Sequence, residues 1–222
     1  MISLRNVSKV YEVSDQVQFT ALTNISIDIK DGDIVSLIGP SGCGKSTLMH
    51  IIGLLDKPTT GRVELNGMDV SKLNDTELSK MRSEVVGFVF QQFNLINKLT
   101  VLENVLLPTM YSRTPLPYDA TKRALELLSQ FGLADKAKSY PNKISGGQQQ
   151  RTAIARALIM SPRLILADEP TGNLDTKTGK EILDLLVELN RKEHMTVVIV
   201  THDPTVAKRA RRAIKLKDGK LI

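Results

Sequence analysis

The chain has a single cysteine, Cys43, in 222 residues. That excludes an internal disulfide and a structural zinc site built on cysteine ligands. Long apolar runs are also missing. The longest candidates, such as Ile51–Leu55 and Val197–Val200, are helix- or strand-sized. They fall far short of the roughly 20 residues that cross a bilayer as a helix. The N-terminus, Met-Ile-Ser-Leu-Arg, opens no hydrophobic stretch of the secretory kind. There is no internal repeat, no low-complexity segment and no sustained heptad pattern. The expectation from these absences is a soluble, cytoplasmic chain. A composition of 41% apolar and 24% charged residues argues against disorder. The length suits one or two compact domains.

The formal net charge is +6, from 30 basic and 24 acidic residues. Its placement is uneven. Between Lys208 and Lys220 there are seven basic residues and one acidic, Asp218, so this stretch supplies the whole excess. Such a stretch can meet nucleic acid, anionic lipid or a partner protein, or it can be a solvated helix and strand with lysines outward.

Short apolar runs alternate with helical patterns. Ile34–Ile38 reads as a buried strand, Val85–Phe90 as another, and Leu164–Ala167 and Thr196–Val200 as strands of a parallel sheet covered on both faces. Between the last two, Ile182, Leu185, Leu186 and Leu189 mark one face of a helix over Gly179–Lys192. Strand, helix and strand within about 40 residues make a right-handed βαβ unit. The N-terminal part differs. Ser3–Tyr11, Ala21–Ile29 and Arg62–Leu65 read as short strands, with turns at Asp31-Gly32 and Asn66-Gly67, and predict a small antiparallel sheet. The middle is helical, with Ala124, Leu128 and Phe131 spaced for a helix over Asp119–Phe131. A helical insert, roughly Gln92–Lys143, interrupts the α/β pattern.

Three motifs carry chemistry. Gly39, Pro40, Ser41, Gly42, Cys43, Gly44, Lys45 and Ser46 fit G-x-x-x-x-G-K-[ST], and Thr47 continues into a helix expected over Thr47–Leu55. The glycines let backbone N–H groups converge on a phosphate chain, and the helix dipole points the same way. Lys45 reaches the β- and γ-phosphates and the Ser46 hydroxyl can bind Mg²⁺. Next, Leu164–Ala167 ends in Asp168 and Glu169. A carboxylate at a strand tip sits beside the phosphate loop, so Asp168 is placed to hold Mg²⁺. Glu169, expected to point the other way along the strand, is the candidate to polarise a water. Finally, Ser145, Gly146, Gly147 and Gln148 stand at the head of a helix, a second anion-binding terminus. That is one more phosphate-seeking helix end than one nucleotide needs. A second copy of the chain would use it; a plain serine N-cap is the alternative.

In order, the phosphate loop, Gln91, Ser145–Gln148, Asp168-Glu169, Asn173-Leu174-Asp175 and His202 resemble the ATP-binding-cassette ATPases, over Ile2 to Leu221. The resemblance implies an α/β fold: a P-loop NTPase core with a mainly parallel sheet, an N-terminal antiparallel β subdomain and an inserted α-helical subdomain. It implies one domain over 1–222, with 1–91 and 151–222 as the core with its β subdomain, and 92–150 as the helical subdomain. It implies ATP and Mg²⁺ as ligands. Gln91 would contact Mg²⁺ and the membrane partner, Asp175 would lie in a loop crossing a dimer interface, His202 near the γ-phosphate, and Tyr11 on the adenine. The catalytic set would be Glu169, His202 and Lys45. The implied partners are a second copy, in an ATP-induced homodimer, and separate transmembrane permease subunits that hold the chain at the inner face of the membrane.

The strings Ile52 to Thr59, Phe88 to Leu95 and Glu169 to Asp175 resemble the subfamily serving lipoprotein-release and macrolide or peptide export permeases; its cell-division members are similar. Ile144 and Cys43 depart from the usual Leu and Ser, both mildly. A cell-division or regulatory ATPase tied to a membrane protein is the alternative. Nucleic-acid-linked cassettes carry a second cassette, a long coiled coil or cysteine zinc sites. None of these occurs here, so no nucleic-acid partner is expected.

Overall fold

The computed structural model describes residues 1–14, 17–112 and 114–222. Its N-terminal sheet starts with β1 (Ile2–Ser14) and β2 (Val17–Ile29), both longer than the sequence predicts. Along the end of β2, buried Ile25, Ile27 and Ile29 alternate with exposed Ser26 and Asp28, the period of a strand with one face inward. Register shifts interrupt the β1–β2 ladder, and Asn6 and Asn24, at φ 50° and 52°, take left-handed backbone there. Asparagine tolerates that conformation better than most residues. After β3 (Ile34–Ile38) and α1 (Lys45–Ile52), β4 (Thr60–Leu65) and β5 (Met68–Asp69) complete a four-stranded antiparallel sheet in the order β2-β1-β4-β5.

The helix expected over Thr47–Leu55 stops at Ile52, where Gly53 caps it and Leu54 turns left-handed at φ 58°. No sequence expectation covers α2 (Asp75–Val85), although its signal is local: Asn74 and Glu77 form a capping box. Next come β6 (Val86–Val89), α3 (Val101–Leu106), α4 (Ala120–Gln130) and α5 (Gly146–Leu158). In the segment from Val101 to Leu158, short 3₁₀ turns at Leu107–Tyr111, Ala134–Lys136 and Pro141–Lys143 lie between the helices. The chain ends with β7 (Leu164–Asp168), α6 (Thr176–Glu193), β8 (Thr196–Thr201), α7 (Pro204–Ala207), β9 (Arg212–Lys217) and β10 (Lys220–Leu221).

The second sheet runs β10-β9-β3-β8-β7-β6, parallel except for the β9–β10 edge. Strand alternation sorts its side chains onto two faces. Leu37, Leu166, Val198 and Val200 join α1 and the N-terminal sheet in one apolar cluster. Ile165, Ala167, Val197 and Ile199 join Leu128, Ile154, Ile182 and Leu186 of the helices in the other. The basic stretch is built as a half-buried strand. Ile214 and Leu216 are buried while Arg212, Lys215 and Lys217 are exposed.

Gly87, in β6, lies under α5. A Cβ there would stand 2.6 Å from the Ala157 carbonyl oxygen and 2.7 Å from Ile165 Cδ1. Gly87→Ala is therefore expected to lower unfolding free energy by about 1–3 kcal/mol through overpacking, read as a lower urea midpoint. An unchanged midpoint would mean that α5 can lift off the sheet freely.

Candidate functional site

The strand β3 runs into the loop Gly39–Gly44 and then α1. Gly42 and Gly44 sit at φ 76° and 101°, where a side chain is strained, and this aims the loop amides inward. Gly44 caps α1 without a side-chain hydrogen bond, which leaves the first-turn amides to an anion. The Lys45 ammonium donates to the carbonyls of Gly39 and Pro40, at 2.9 and 2.8 Å, and so lies folded over the loop. Packing shapes the loop from behind: a Cβ on Gly39 would meet the Leu216 carbonyl oxygen at 2.1 Å and Cys43 Sγ at 2.6 Å. Cys43 is buried, at 4% exposure, among core side chains. What it can offer a phosphate is its backbone, not its sulfur.

A cavity of about 470 Å³ opens over this loop. It brings together Lys45, Ser46, Gln91, Asp168, Glu169 and His202, which lie on four separate stretches of chain. Asp168 closes β7. Glu169 departs from the expectation that it points away along the strand. The strand ends one residue earlier, and Glu169 turns left-handed at φ 44°, so both carboxylates line the same cavity. Its amide donates to the Val200 carbonyl at 2.9 Å. Its Oε1 accepts from the His202 amide at 2.9 Å and lies 2.6 Å from His202 Nδ1, while Oε2 accepts from the Thr201 hydroxyl at 3.1 Å.

The donors available to a cation are the Ser46 hydroxyl, the Asp168 carboxylate and the Gln91 amide oxygen, since Gln91 Nε2 is committed to Asn173 Oδ1 at 3.3 Å. These are hard oxygen ligands of the kind Mg²⁺ takes when phosphates complete its shell. Among the described residues, no group of three or more His, Cys, Asp or Glu could hold a metal alone. The donor set fits a cation that arrives with a phosphate ligand.

Ser145 caps α5. Its hydroxyl accepts from the Gln148 amide at 3.3 Å, and its own amide donates to Gln148 Oε1 at 2.9 Å. Gly147 abuts Thr178 of α6, with 2.4 Å from an added Cβ to Thr178 Cγ2, and Asp175 caps α6 through the Thr178 amide at 3.0 Å. The Ser145–Gln148 segment and Asp175 thus share one patch, and neither lines the loop cavity.

Tyr11 does not line it either. Its hydroxyl donates to Asp56 Oδ2 at 2.8 Å, and Lys9 Nζ lies 4.8 Å from its ring centroid. The aromatic lining the cavity is Phe19, 52% exposed and paired with Tyr11 across the β1–β2 ladder. Finding Phe19 requires the strand register, which no local motif announces.

A second cavity, about 460 Å³, lies between β6, α2 and the helical segment. Phe88, Phe90, Leu107 and Tyr111 line it together with Arg82 and Arg156. The Arg156 guanidinium donates to the carbonyls of Phe93 and Asn94, which follow Gln91 in left-handed backbone. The sequence reading missed Arg156, because its partners are carbonyls distant in sequence.

Comparison with known proteins places these features in context. A family model described as ABC transporter matches residues 22–172. The chain is 51% identical to the uncharacterized ABC transporter ATP-binding protein MJ0796 of Methanocaldococcus jannaschii, covering 100% of this chain and 95% of that protein. It is 44% identical to the lipoprotein-releasing system ATP-binding protein LolD of Syntrophus aciditrophicus, over 100% of this chain and 99% of LolD. It is 48% identical to the macrolide export ATP-binding/permease protein MacB of Bdellovibrio bacteriovorus, over 99% of this chain but 33% of MacB. A solved dimeric, post-hydrolysis structure of MJ0796 bound to ADP and Pi superposes with a TM-score of 0.89 at 50% identity, covering 100% of this chain and 96% of that one.

Burial, and then the negative charge of Glu169, push the Asp168 carboxyl above the usual carboxylate range, with His50 and Lys45 pulling it back. A raised native pKa means that the folded state binds this proton more tightly than the unfolded chain. Stability is therefore lost as pH rises from the unfolded pKa through the raised one. Asp168→Asn is expected to raise the denaturation midpoint of nucleotide-free protein at about pH 7.5, with the gain shrinking toward about pH 4. A gain of equal size at both pH values would show that the carboxylate charge is not its source.

Proposed function

This chain belongs to the ABC transporter family, and on that premise we propose that it is the ATP-hydrolysing subunit driving a separate membrane permease of the lipoprotein-release or macrolide-export kind. The carrying observation is the separation of two phosphate-seeking helix ends. The loop end faces a cavity with Lys45, Asp168 and Glu169, while the Ser145–Gln148 end lies outside it beside Asp175. Two copies placed head to tail complete each other, with each loop facing the other copy's Ser145–Gln148 segment. The dimeric MJ0796 structure and the names of LolD and MacB support this reading.

In the proposed reaction, the loop amides and Lys45 bind the phosphate chain of ATP, with Lys45 giving up its two carbonyl partners. Glu169 orients the attacking water and takes its proton. His202, 74% exposed and bonded to Glu169, steadies the γ-phosphate. Phe19, which lines the cavity, forms the base-binding side, with Tyr11 beside it across the ladder. Ser46, Gln91 and Asp168 would hold Mg²⁺, which would supply positive charge against the phosphate chain.

We read 1–91 and 151–222 as the nucleotide-binding core with its β subdomain, and 92–150 as the helical subdomain. The permease docks in the cleft of Phe88, Phe90 and Tyr111. Arg82 and Arg156 have no carboxylate partner there among the described residues and suit an acidic side chain on that permease. No helix among the described residues is long and apolar enough to cross a membrane, so the inner-face location comes through the permease.

Glu169→Gln keeps the side-chain size and removes the carboxylate. Hydrolysis is expected to fall by about 10²–10⁴-fold with ATP still bound, and an ATP-loaded dimer should persist on size exclusion. Normal turnover would remove Glu169 from this role. Ser145→Arg should leave nucleotide binding by the monomer nearly intact and block ATP-driven dimerisation, because a bulky side chain then stands where a γ-phosphate approaches. Dimerisation of that variant with ATP would overturn the head-to-tail arrangement.

A further inference from the structure

Gln150 is a polar side chain with no solvent exposure, one turn into α5. Its Nε2 donates to the carbonyl of Pro170 at 2.7 Å, and Pro170 directly follows Glu169. The amide orientation is not ambiguous, because turning it over would set Oε1 against the Pro170 oxygen, two acceptors in contact. In the orientation present, Oε1 meets no donor among the described residues. An orphaned buried acceptor weakens a fold, so stability alone does not explain this residue.

The turn that Gln150 grips is unusual. Glu169 is a non-glycine residue at φ 44°, and it precedes a proline, which restricts it further. Such backbone persists only where the surroundings over-determine it. The Glu169 amide is tied to Val200 at 2.9 Å, and the Glu169 carbonyl accepts from the Gly172 amide at 3.0 Å. Because the ring of Pro170 sets its own φ, the direction of its carbonyl is the remaining handle on the turn. Gln150 holds that handle from a helix packed in the core.

We propose that Gln150 is a positioning residue: through Pro170 it holds the turn that aims the Glu169 carboxylate into the cavity. The same helix carries the Ser145–Gln148 end, so one rigid element joins the face offered to a second copy with the turn of its own site. The consequence for catalysis rests on the reading of Glu169 as the base; the hold on the turn does not.

Gln150→Met keeps the side-chain bulk and removes both the donor and the orphaned acceptor. In nucleotide-free protein, amide exchange at Glu169 and Gly172 should quicken by at least about 5-fold, with at most a small fall in the thermal midpoint, since the orphaned acceptor moves from Gln150 to the Pro170 carbonyl. Turnover should fall by about 10- to 100-fold with KM for ATP held, as expected when a reacting group is misaimed. Gln150→Glu supplies the rescue, since a protonated carboxyl still donates to Pro170. Its turnover relative to the parent at each pH should be near normal at about pH 6 and lost at about pH 8.5, because burial raises a carboxyl pKa. Unchanged exchange in Gln150→Met would overturn the proposal, as would a loss of turnover only in step with a fallen midpoint. Quickened exchange with unchanged turnover would support the hold and count against Glu169 as the base.

Discussion

Parallel pairing of β3 with β8, and of β8 with β7, governs everything at the site. Ile38 stands opposite Thr201, and Asp168 opposite Val200, so three strands end at one edge of the sheet. In a parallel sheet the chain must leave that edge by loops, and helix N-termini follow those loops. The phosphate loop, the Asp168-Glu169 pair and His202 are therefore neighbours by construction, although they span more than 160 positions from Gly39 to His202. Apolar clusters cover both faces of the sheet, so its polar groups gather at the edge where these strands end.

That edge concentrates charge in a half-buried space. Two carboxylates lie side by side, and burial together with Glu169 makes ionised Asp168 costly. The protein answers with Lys45 and His50 nearby, and with three protein contacts on Glu169 from Thr201 and His202. Lys45 meanwhile rests on loop carbonyls.

The helix α5 ties the separate parts together. At its N-terminus Ser145 and Gln148 satisfy each other, Gln150 reaches Pro170, and Arg156 holds the carbonyls after Gln91. Gly87 and Ala157 let it lie close on β6. The helix thus touches both the turn after Glu169 and the backbone after Gln91, two residues that line the loop cavity, and a packed core gives such contacts little slack.

Features that depend on neighbours along the chain are legible in residue order alone. The glycine spacing before Lys45, the apolar run ending in Asp168, the serine and glycines heading α5, and the period-2 and period-3.6 patterns are local physics. They sufficed for the parallel core, the antiparallel N-terminal sheet and the helical insert. Features that depend on neighbours through space take shape only in the packed chain. The sulfur of Cys43 turns inward because Gly39 and β9 press on the loop, and Phe19 reaches the cavity because of its register against Tyr11. Glu169 shares the cavity with Asp168 because the residue just after the strand is left-handed. Gln150 matters because it meets a carbonyl 20 positions away. No residue type announces these in advance, since a side chain's direction follows from close packing around it, and packing is settled only when the whole chain is in place.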